Sequence, residues 1–269
     1  MSNKGIYTAL SGAIAQAKRL DTIANNLANV NTTGFKKDKQ VFNEYLTANE
    51  QYPETLQVPR VTASIESFYD MQAGDRGYVD SKGSYTDFSQ GPLKSTGNQF
   101  DVAVEGKGFF EILTPEGVKY SRNGSFKVDS QGRLVTKQGF PVLREGLGQN
   151  PESRTIQLET KNITISYDGD VYDGGANVGR LGLVDFVNPD LLQKSGNSLY
   201  SLKNGADDQI VIANESKIQQ GFLEASNVNV IDEMTDMIAA SRIFESTQKA
   251  IKAFDEMNGK LVNEVPRTR

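Results

Sequence analysis

The two ends of the chain carry apolar residues at helical spacing, and this feature limits most strongly what the chain can fold into. Near the N-terminus, apolar side chains recur alternately four and three residues apart, from Ile6 to Leu27. Near the C-terminus, a similar stripe runs from Met237 to Leu261. Narrow stripes of this kind are typical of coiled-coil seams, which water cannot satisfy. Both ends are therefore predicted to form long helices that need partner helices.

The spacing predicts an N-terminal helix over residues 4–31 and a C-terminal helix over residues 229–262. Gly34 can end the first helix, because glycine tolerates a positive φ. Asn229 can cap the second helix, in which acidic residues come early and lysines late, the order that suits the helix dipole. Two arrangements remain open. The helices pack against other subunits, or they fold back within one chain.

Packing roles are assigned to apolar positions in the two stripes. These positions are Leu10, Ala17, Leu20, Leu27, Met237, Phe244, Ile251 and Phe254. Asparagines crowd the end of the first helix, although Asn inside a helix costs on the order of 0.6 kcal/mol relative to Ala. They either cap a frayed last turn or hydrogen-bond across a helix interface, as Asn does in coiled coils. The candidates for buried polar contacts are Asn25, Asn26, Asn29 and Asn227.

The middle of the chain, residues 76–224, is predicted to be an antiparallel all-β domain, because short apolar runs alternate with glycine-containing turns. The predicted strands are Phe100–Val104, Phe109–Leu113, Phe126–Val128, Phe140–Leu143, Ile163–Ile165, Leu181–Leu183 and Ile210–Ile212. Residues 35–75 are predicted to be an irregular connector with a short amphipathic start. Residues 1–34 and 225–269 are predicted to form a helical domain. The predicted fold class is α+β, with the terminal helices in an inner coiled-coil layer.

Composition excludes several classes of function. The chain has 269 residues, a formal net charge of −5, and no Cys, His or Trp. Without Cys or His it lacks disulfides, thiolate zinc ligands and the commonest general base. An acidic chain without a basic block is not expected to bind nucleic acid. No apolar run is long enough for a signal peptide or for the ~18 residues of a membrane span, so membrane insertion is not expected. The chain is then expected either to be cytoplasmic or to be exported by a route without a cleaved signal.

Two motifs invite a chemical interpretation, and each has a simpler one. Asp168, Asp170 and Asp173 suggest a cation site, but they lack the other ligand positions of a calcium loop and fit a hairpin turn. Glu105–Gly108 lacks the spacing of a phosphate-binding loop and is also predicted to be a turn. No cofactor or metal is predicted, and the chain is not expected to be an enzyme. The alternatives from other classes are a secreted carbohydrate-active enzyme, because carboxylates are scattered through the β-domain, and an extracellular adhesin.

Three motifs, one near each end and one in the middle, resemble a single known family. The run Asn25–Phe35 is similar to the N-terminal signature of bacterial flagellar rod and hook proteins. The run Gly221–Val230 resembles their C-terminal signature. Between them, Val102–Phe110 and Tyr120–Phe126 resemble the β-domain of the same family.

The resemblance implies a structural subunit of the flagellar basal-body rod. Such proteins pack terminal helices from many copies into inner layers of a helical tube that transmits torque and encloses the export channel, with the β-domain facing outward. The implied partners are copies of the chain, other rod and hook-family axial proteins, and the flagellar type III export apparatus, which exports the chain into the periplasm without cleaving a signal. Gly5–Ala9 and Arg242–Glu245 look more like the proximal rod protein, with the distal rod as the alternative.

Overall fold

The computed structural model describes residues 4–46, 77–160, 162–203, 210–213 and 216–264. A long helix lies near each end of the chain: α1 spans Lys4–Ala28 and α2 spans Val230–Glu264. The elements between them in the described residues are β-strands and two short 3-10 turns. The predicted α+β content, with an antiparallel β-rich middle, is confirmed. A coiled coil between subunits stays a prediction.

The described residues contain seventeen strands. Their bounds are β1 Asp38–Leu46, β2 Gly77–Thr86, β3 Leu93–Ser95, β4 Val102–Glu105, β5 Phe109–Thr114, β6 Gly117–Ser121, β7 Phe126–Val128, β8 Leu134–Thr136, β9 Ile163–Ile165, β10 Asp170–Asp173, β11 Ala176–Arg180, β12 Leu183–Phe186, β13 Leu192–Lys194, β14 Leu199–Leu202, β15 Ile210–Ile212, β16 Lys217–Gln220 and β17 Phe222–Glu224. The largest sheet has the order β13-β14-β6-β5-β12-β15, and a three-stranded sheet has the order β11-β10-β9. Two-stranded sheets pair β1 with β2, β16 with β4, β17 with β3 and β7 with β8.

The chain divides into two compact units. The helical unit comprises Met1–Asn25, Lys39–Tyr85 and Ile231–Arg269, of which the structure describes part. The β-rich unit comprises Asn26–Asp38 and Thr86–Val230. The N-terminal segment Asn26–Asp38 is therefore part of the β-rich unit, although its first three residues are the last three of α1.

The end of α1 and the start of the connector differ from prediction. The helix ends at Ala28 rather than at residue 31, because the next residues form turns in which Asn29 N donates to Asn26 O (3.1 Å) and Thr32 N to Asn29 O (3.1 Å). The predicted amphipathic start of the connector is strand β1, which pairs with β2. The rest of the connector, residues 47–76, lies outside the described residues.

Strand β5 lies between two hydrophobic clusters of the β-rich unit. Phe110 packs in one cluster, where its ring meets that of Phe126 edge-on at 5.2 Å. Phe109 packs in the other cluster with Tyr120 and Tyr200. Because both faces of β5 are buried, its apolar residues do not alternate with exposed polar ones, and the charged Glu111 within it is itself buried.

The predicted strands agree best with the structure where the segment pairs with the same neighbouring strand along its whole length. The predictions at Phe126–Val128, Ile163–Ile165 and Ile210–Ile212 are confirmed as β7, β9 and β15, and Phe109–Leu113 lies within β5. The prediction at Phe140–Leu143 is wrong. There, Pro141, Val142 and Leu143 each bridge to a different partner, and none of these bridges extends into a ladder. The other two predictions overlap β4 and only the first residue of β12.

Candidate assembly site

Helix α1 carries apolar side chains on an exposed face. Tyr7, Leu10 and Ile14 are spaced three and four residues apart and remain 57%, 44% and 51% exposed. Ala13 and Ile23 of the same helix are buried. Of the other predicted packing positions on α1, Ala17, Leu20 and Leu27 are half-buried.

Helix α2 carries apolar side chains over more than one face. On the predicted stripe, Ala240 is fully buried. The predicted packing positions Met237, Phe244 and Ile251 are half-buried, and Phe254 is exposed. Further apolar side chains of this helix are exposed: Ile231, Met234, Ile238, Ile243 and Met257. The sequence pattern already includes Met234 and Ile238, which make the stripe wider than a strict seam, but it does not include the other three.

The two helices are neighbours within the helical unit. Arg19 Nη2 of α1 lies 3.6 Å from Asp236 Oδ1 of α2. Both side chains are partly exposed, so the pair stabilises the fold by at most about 1 kcal/mol. The two arrangements left open by the sequence are thus compatible, because the helices meet within one chain and still expose apolar side chains.

The predicted asparagines fall into two groups. Asn26 and Asn227 make hydrogen bonds within the β-rich unit: Asn26 pairs with both backbone groups of Asp38 (2.9 and 3.0 Å), and Asn227 Oδ1 accepts from Lys37 N (2.8 Å). Asn29 accepts a hydrogen bond from the Thr32 hydroxyl, and Asn25 is exposed. A role for any of them between subunits stays a prediction.

A buried group of charges lies beside Asn227 in the β-rich unit. Lys36 Nζ donates to Glu224 Oε1 (2.6 Å) and to Ser89 O (2.7 Å). Arg122 Nη1 donates to Glu224 Oε2 (3.3 Å), and its guanidinium lies over the Phe109 ring. The exposed fractions are 0% for Lys36, 3% for Arg122 and 1% for Glu224. We call these three residues the buried triad.

Several further contacts fix the triad in place. Gly91 N donates to Glu224 Oε1 (2.9 Å), and Gly34 N donates to Glu224 O (2.8 Å). Lys194 donates to Lys36 O (2.6 Å), lies 2.8 Å from Asp38 Oδ2 and packs over the Phe35 ring at 4.2 Å. The central carboxylate is therefore satisfied by two cations and a backbone amide, as a buried charge requires.

Burial shifts the ionisation of this region. It lowers the pKa of Lys36 and of Arg122, and in each case the neighbouring Glu224 acts in the opposite direction. Burial also raises the pKa of Tyr200, and the charges of Asp38 and Glu224 raise it further. The sequence pattern does not identify the triad, since Lys36 lies in the predicted connector and Glu224 in the predicted β-domain, 188 residues apart.

The motifs with alternative chemical interpretations have structural roles here. Asp173 accepts hydrogen bonds from Thr160, and the pKa of its carboxyl is lowered by that contact. Gly106, after β4, is held by Gln90 and Arg122, whose side chains bond its N–H (3.1 Å) and its carbonyl (2.7 Å). Glu111 is paired with Arg154. Within the described ranges, no group of acidic side chains could hold a metal ion.

Neither helix offers a membrane-spanning segment. Across the part of the chain that the structure describes, no helix combines the length and the apolar character that crossing a bilayer requires.

Three protein-family models match separate segments of the chain. The model described as "Flagella basal body rod protein" matches residues 6–36. "Flagellar hook protein FlgE/F/G D1 domain" matches residues 103–173, and "Flagellar basal body rod FlgEFG protein C-terminal" matches residues 219–264. Lys36, Arg122 and Glu224 each come from a different one of these segments.

Individual proteins are similar over almost the whole chain. The flagellar basal-body rod protein FlgG of Borreliella burgdorferi is 36% identical over 267 residues, which cover 95% of this chain and 96% of the relative. The chain belongs to the flagellar basal-body rod protein family. Other members are FlgG of Bacillus subtilis, 34% identical over 97% of this chain and 98% of the relative, and FlgF of Caulobacter vibrioides, 34% identical over 95% of each.

The family match includes the two helices whose apolar side chains are exposed. The N- and C-terminal family models cover most of α1 and α2, the helices that carry the exposed apolar side chains. The family names describe rod and hook proteins, which are structural, and so agree with the sequence prediction of a structural subunit.

Proposed function

We propose that this chain is a structural subunit of the bacterial flagellar basal-body rod. It assembles with copies of itself and with other rod and hook-family proteins into a helical tube. The observation that carries the proposal is the apolar surface left exposed on both terminal helices, for example Leu10 and Ile14 on α1 and Met234 and Ile238 on α2. Apolar side chains at helical spacing gain free energy when another helix covers them.

The form of the assembly follows from the kind of contact. A contact between two different surfaces of identical subunits repeats from copy to copy, and it generates a helix whenever the rotation does not close a ring. Packed helices resist compression, so a tube built around them transmits torque. The same tube encloses the channel through which later subunits are exported.

The position within the rod is proposed from two sequence features. The opening Gly5–Ala9 and the segment around Phe244 resemble the proximal rod protein more than the distal one. The chain reaches that position through the flagellar type III export apparatus, without cleavage of a signal peptide. The helices form the inner layer of the rod, and the β-rich domain lies outside.

Electron cryotomography of basal bodies tests this function. Deletion of the gene in the source bacterium is expected to abolish swimming and to leave basal bodies without a complete rod. Expression of the intact chain restores both. A gold-labelled antibody to the β-rich unit should bind the proximal half of the rod. Complete rods in the deletion strain would disprove the proposal, and label at the distal half would disprove only the proximal position.

A further inference from the structure

The chain passes from one unit to the other four times. The residues of the β-rich unit at these four points belong to one hydrogen-bonded cluster or lie close to it in sequence. The passages come just before Asn26 and Thr86 and just after Asp38 and Val230, which are the terminal residues of the two segments that form this unit. Asn26 bonds both backbone groups of Asp38, and the Thr86 hydroxyl donates to Asp38 Oδ1 (2.8 Å). Three of the four terminal residues are therefore joined directly.

Asn227 connects the remaining passage to the same cluster. It lies three residues before Val230 and accepts from Lys37 N (2.8 Å), while its side-chain amide donates to Asp87 O (2.8 Å). Asp87 N in turn donates to Lys37 O (2.8 Å). These bonds link the segments that precede β1, follow β2 and precede α2.

The buried triad anchors this cluster to the interior of the β-rich unit. Lys36 and Glu224 are 188 residues apart in sequence, yet their side chains meet at 2.6 Å in the interior. Glu224 also holds Arg122, which follows β6 in the large sheet. Lys36 adds a bond to Ser89 O, two residues after Asp87. The three segments that meet at the cluster are thus tied to each other and to the sheet by charged groups.

The hydrophobic clusters of the β-rich unit do not include the N-terminal segment Asn26–Asp38. The two hydrophobic clusters consist of residues from Phe100 onwards with Phe88, and neither contains a residue of Asn26–Asp38. Apart from the buried ring of Phe35, the contacts that hold the N-terminal segment are polar and charged. Such contacts depend on direction and distance, so they specify a geometry rather than supplying bulk stability.

We infer that Lys36, Glu224 and Asn227 are positioning residues, which fix the points where both terminal helices leave the β-rich unit and which the subunit needs in order to join the rod. The claim that the subunit needs these residues to join the rod rests on the proposed function. The claim that they fix the positions of the helix ends concerns the isolated chain and does not depend on that function.

The test compares three full-length variants. Lys36→Met removes the cation while Arg122 still neutralises Glu224. Asn227→Ala removes a half-buried side chain from the cluster and is the milder change. Arg154→Met is the control, because it breaks the buried Arg154–Glu111 pair in the same unit, away from the cluster. Urea unfolding measures the stability of each variant, and hydrogen exchange reports on single backbone amides.

In Lys36→Met and Asn227→Ala, exchange of the amides of Lys37 and Asp87 is expected to rise about tenfold or more, as for the loss of a charged or buried hydrogen bond. Amides of β5 and β6 keep their protection. Complete rods, counted by electron cryotomography after replacement of the chromosomal gene, are expected to become at least about tenfold rarer, since assembly needs fixed helix exits. The Arg154→Met variant should still form complete rods, even if its free energy of unfolding falls by as much as that of the cluster variants.

Three results would overturn the inference. The first is wild-type rod numbers in both cluster variants. The second is equal loss of rods in the control at equal stability, which would make the effect one of folding alone. The third is unchanged exchange at Lys37 and Asp87. If the amides of β5 exchange faster in Lys36→Met, that variant has lost its fold, and the exchange and rod counts of the milder variant Asn227→Ala are used instead. Complete rods in a strain that lacks the gene would instead reject the proposed function and leave the exchange result standing.

Discussion

At the scale of single residues, the family motifs are explained by contacts that sequence spacing does not show. The sequence pattern predicts that Gly34 stops the first helix, but α1 ends six residues earlier, at Ala28. Gly34 has φ of +68° and lies against the backbone of Arg122 and Asn123. Its N–H bonds Glu224. The glycine is required by a close approach of two backbones.

Substitution at Gly34 tests this explanation. A Cβ atom there would lie 2.5 Å from Asn123 N, whereas at Gly97, with φ of +69°, nothing lies within 4 Å of such an atom. Gly97→Ala is therefore expected to cost about 1 kcal/mol, which is the effect of the left-handed backbone alone. Gly34→Ala is expected to cost at least about 2 kcal/mol more, because backbone atoms must move. Urea unfolding of both variants provides the measurement, and equal losses would contradict the close-approach argument.

The buried triad shows why residue-scale chemistry is the hardest part to predict. Charged side chains are almost never fully buried unless they are paired, and nothing in the sequence pattern marks Lys36, in the predicted connector, or Glu224, at the end of the predicted β-domain, as buried. Their partners are distant in sequence, and periodicity carries no information about such pairs. Asn26 stands out in the sequence because Asn is unfavourable within helices, and Asn227 because it belongs to the C-terminal family motif. The sequence predicts that these two side chains make polar contacts, but only the fold shows that their partners are Asp38 and Lys37.

At the scale of elements, the sequence predicts what depends on local patterns. Both long helices are predicted within three residues at each end, because their apolar periodicity extends over many turns. Strands β7, β9 and β15 are predicted because each is a short apolar run bounded by turns. The strand at Phe140–Leu143 is predicted wrongly, since a run of this kind does not show whether one neighbouring strand pairs along all of it.

The exposed faces of the helices give a prediction at this scale. Leu10→Asp on α1 and Ile238→Asp on α2 change side chains that are 44% and 56% exposed. The free energy of unfolding of the isolated chain should change by no more than about 0.5 kcal/mol, as for other surface positions. Assembly should be lost, because a charge would be buried between helices. Swimming in soft agar measures assembly, and urea unfolding measures stability.

Gln248→Asp is the control for that experiment, because Gln248 is an exposed polar residue of α2 that lies outside the apolar sets. It introduces the same charge and should leave motility at the level of the unmodified chain. Normal swimming in both apolar variants would show that these faces have no role in assembly. A large loss of stability in either would show instead that the face is already covered within the chain.

At the scale of the whole molecule, the chain combines two units with different sources of stability. The β-rich unit contains both hydrophobic clusters. In the described part of the helical unit, the buried apolar side chains are few and mostly small: Ala13, Ala15, Ile23 and Ala240. The sequence anticipates this contrast, since it places the repeating apolar stripes at the ends and the dense apolar runs in the middle.

Limited proteolysis of the purified monomer tests this contrast. Cleavage requires local opening, and opening costs least where few apolar contacts are buried. The first cuts are expected within residues 4–25 and 231–264, and a fragment that contains residues 86–203 should persist. Mass spectrometry of samples taken over time identifies the cut sites. Isolated basal bodies provide the comparison, because assembly should cover the exposed helix faces and suppress those first cuts. Cuts in β5 or β6 at the same rate as in the helices would show that the helical unit is as stable alone as the β-rich one, and the need for neighbouring subunits would lose its physical basis.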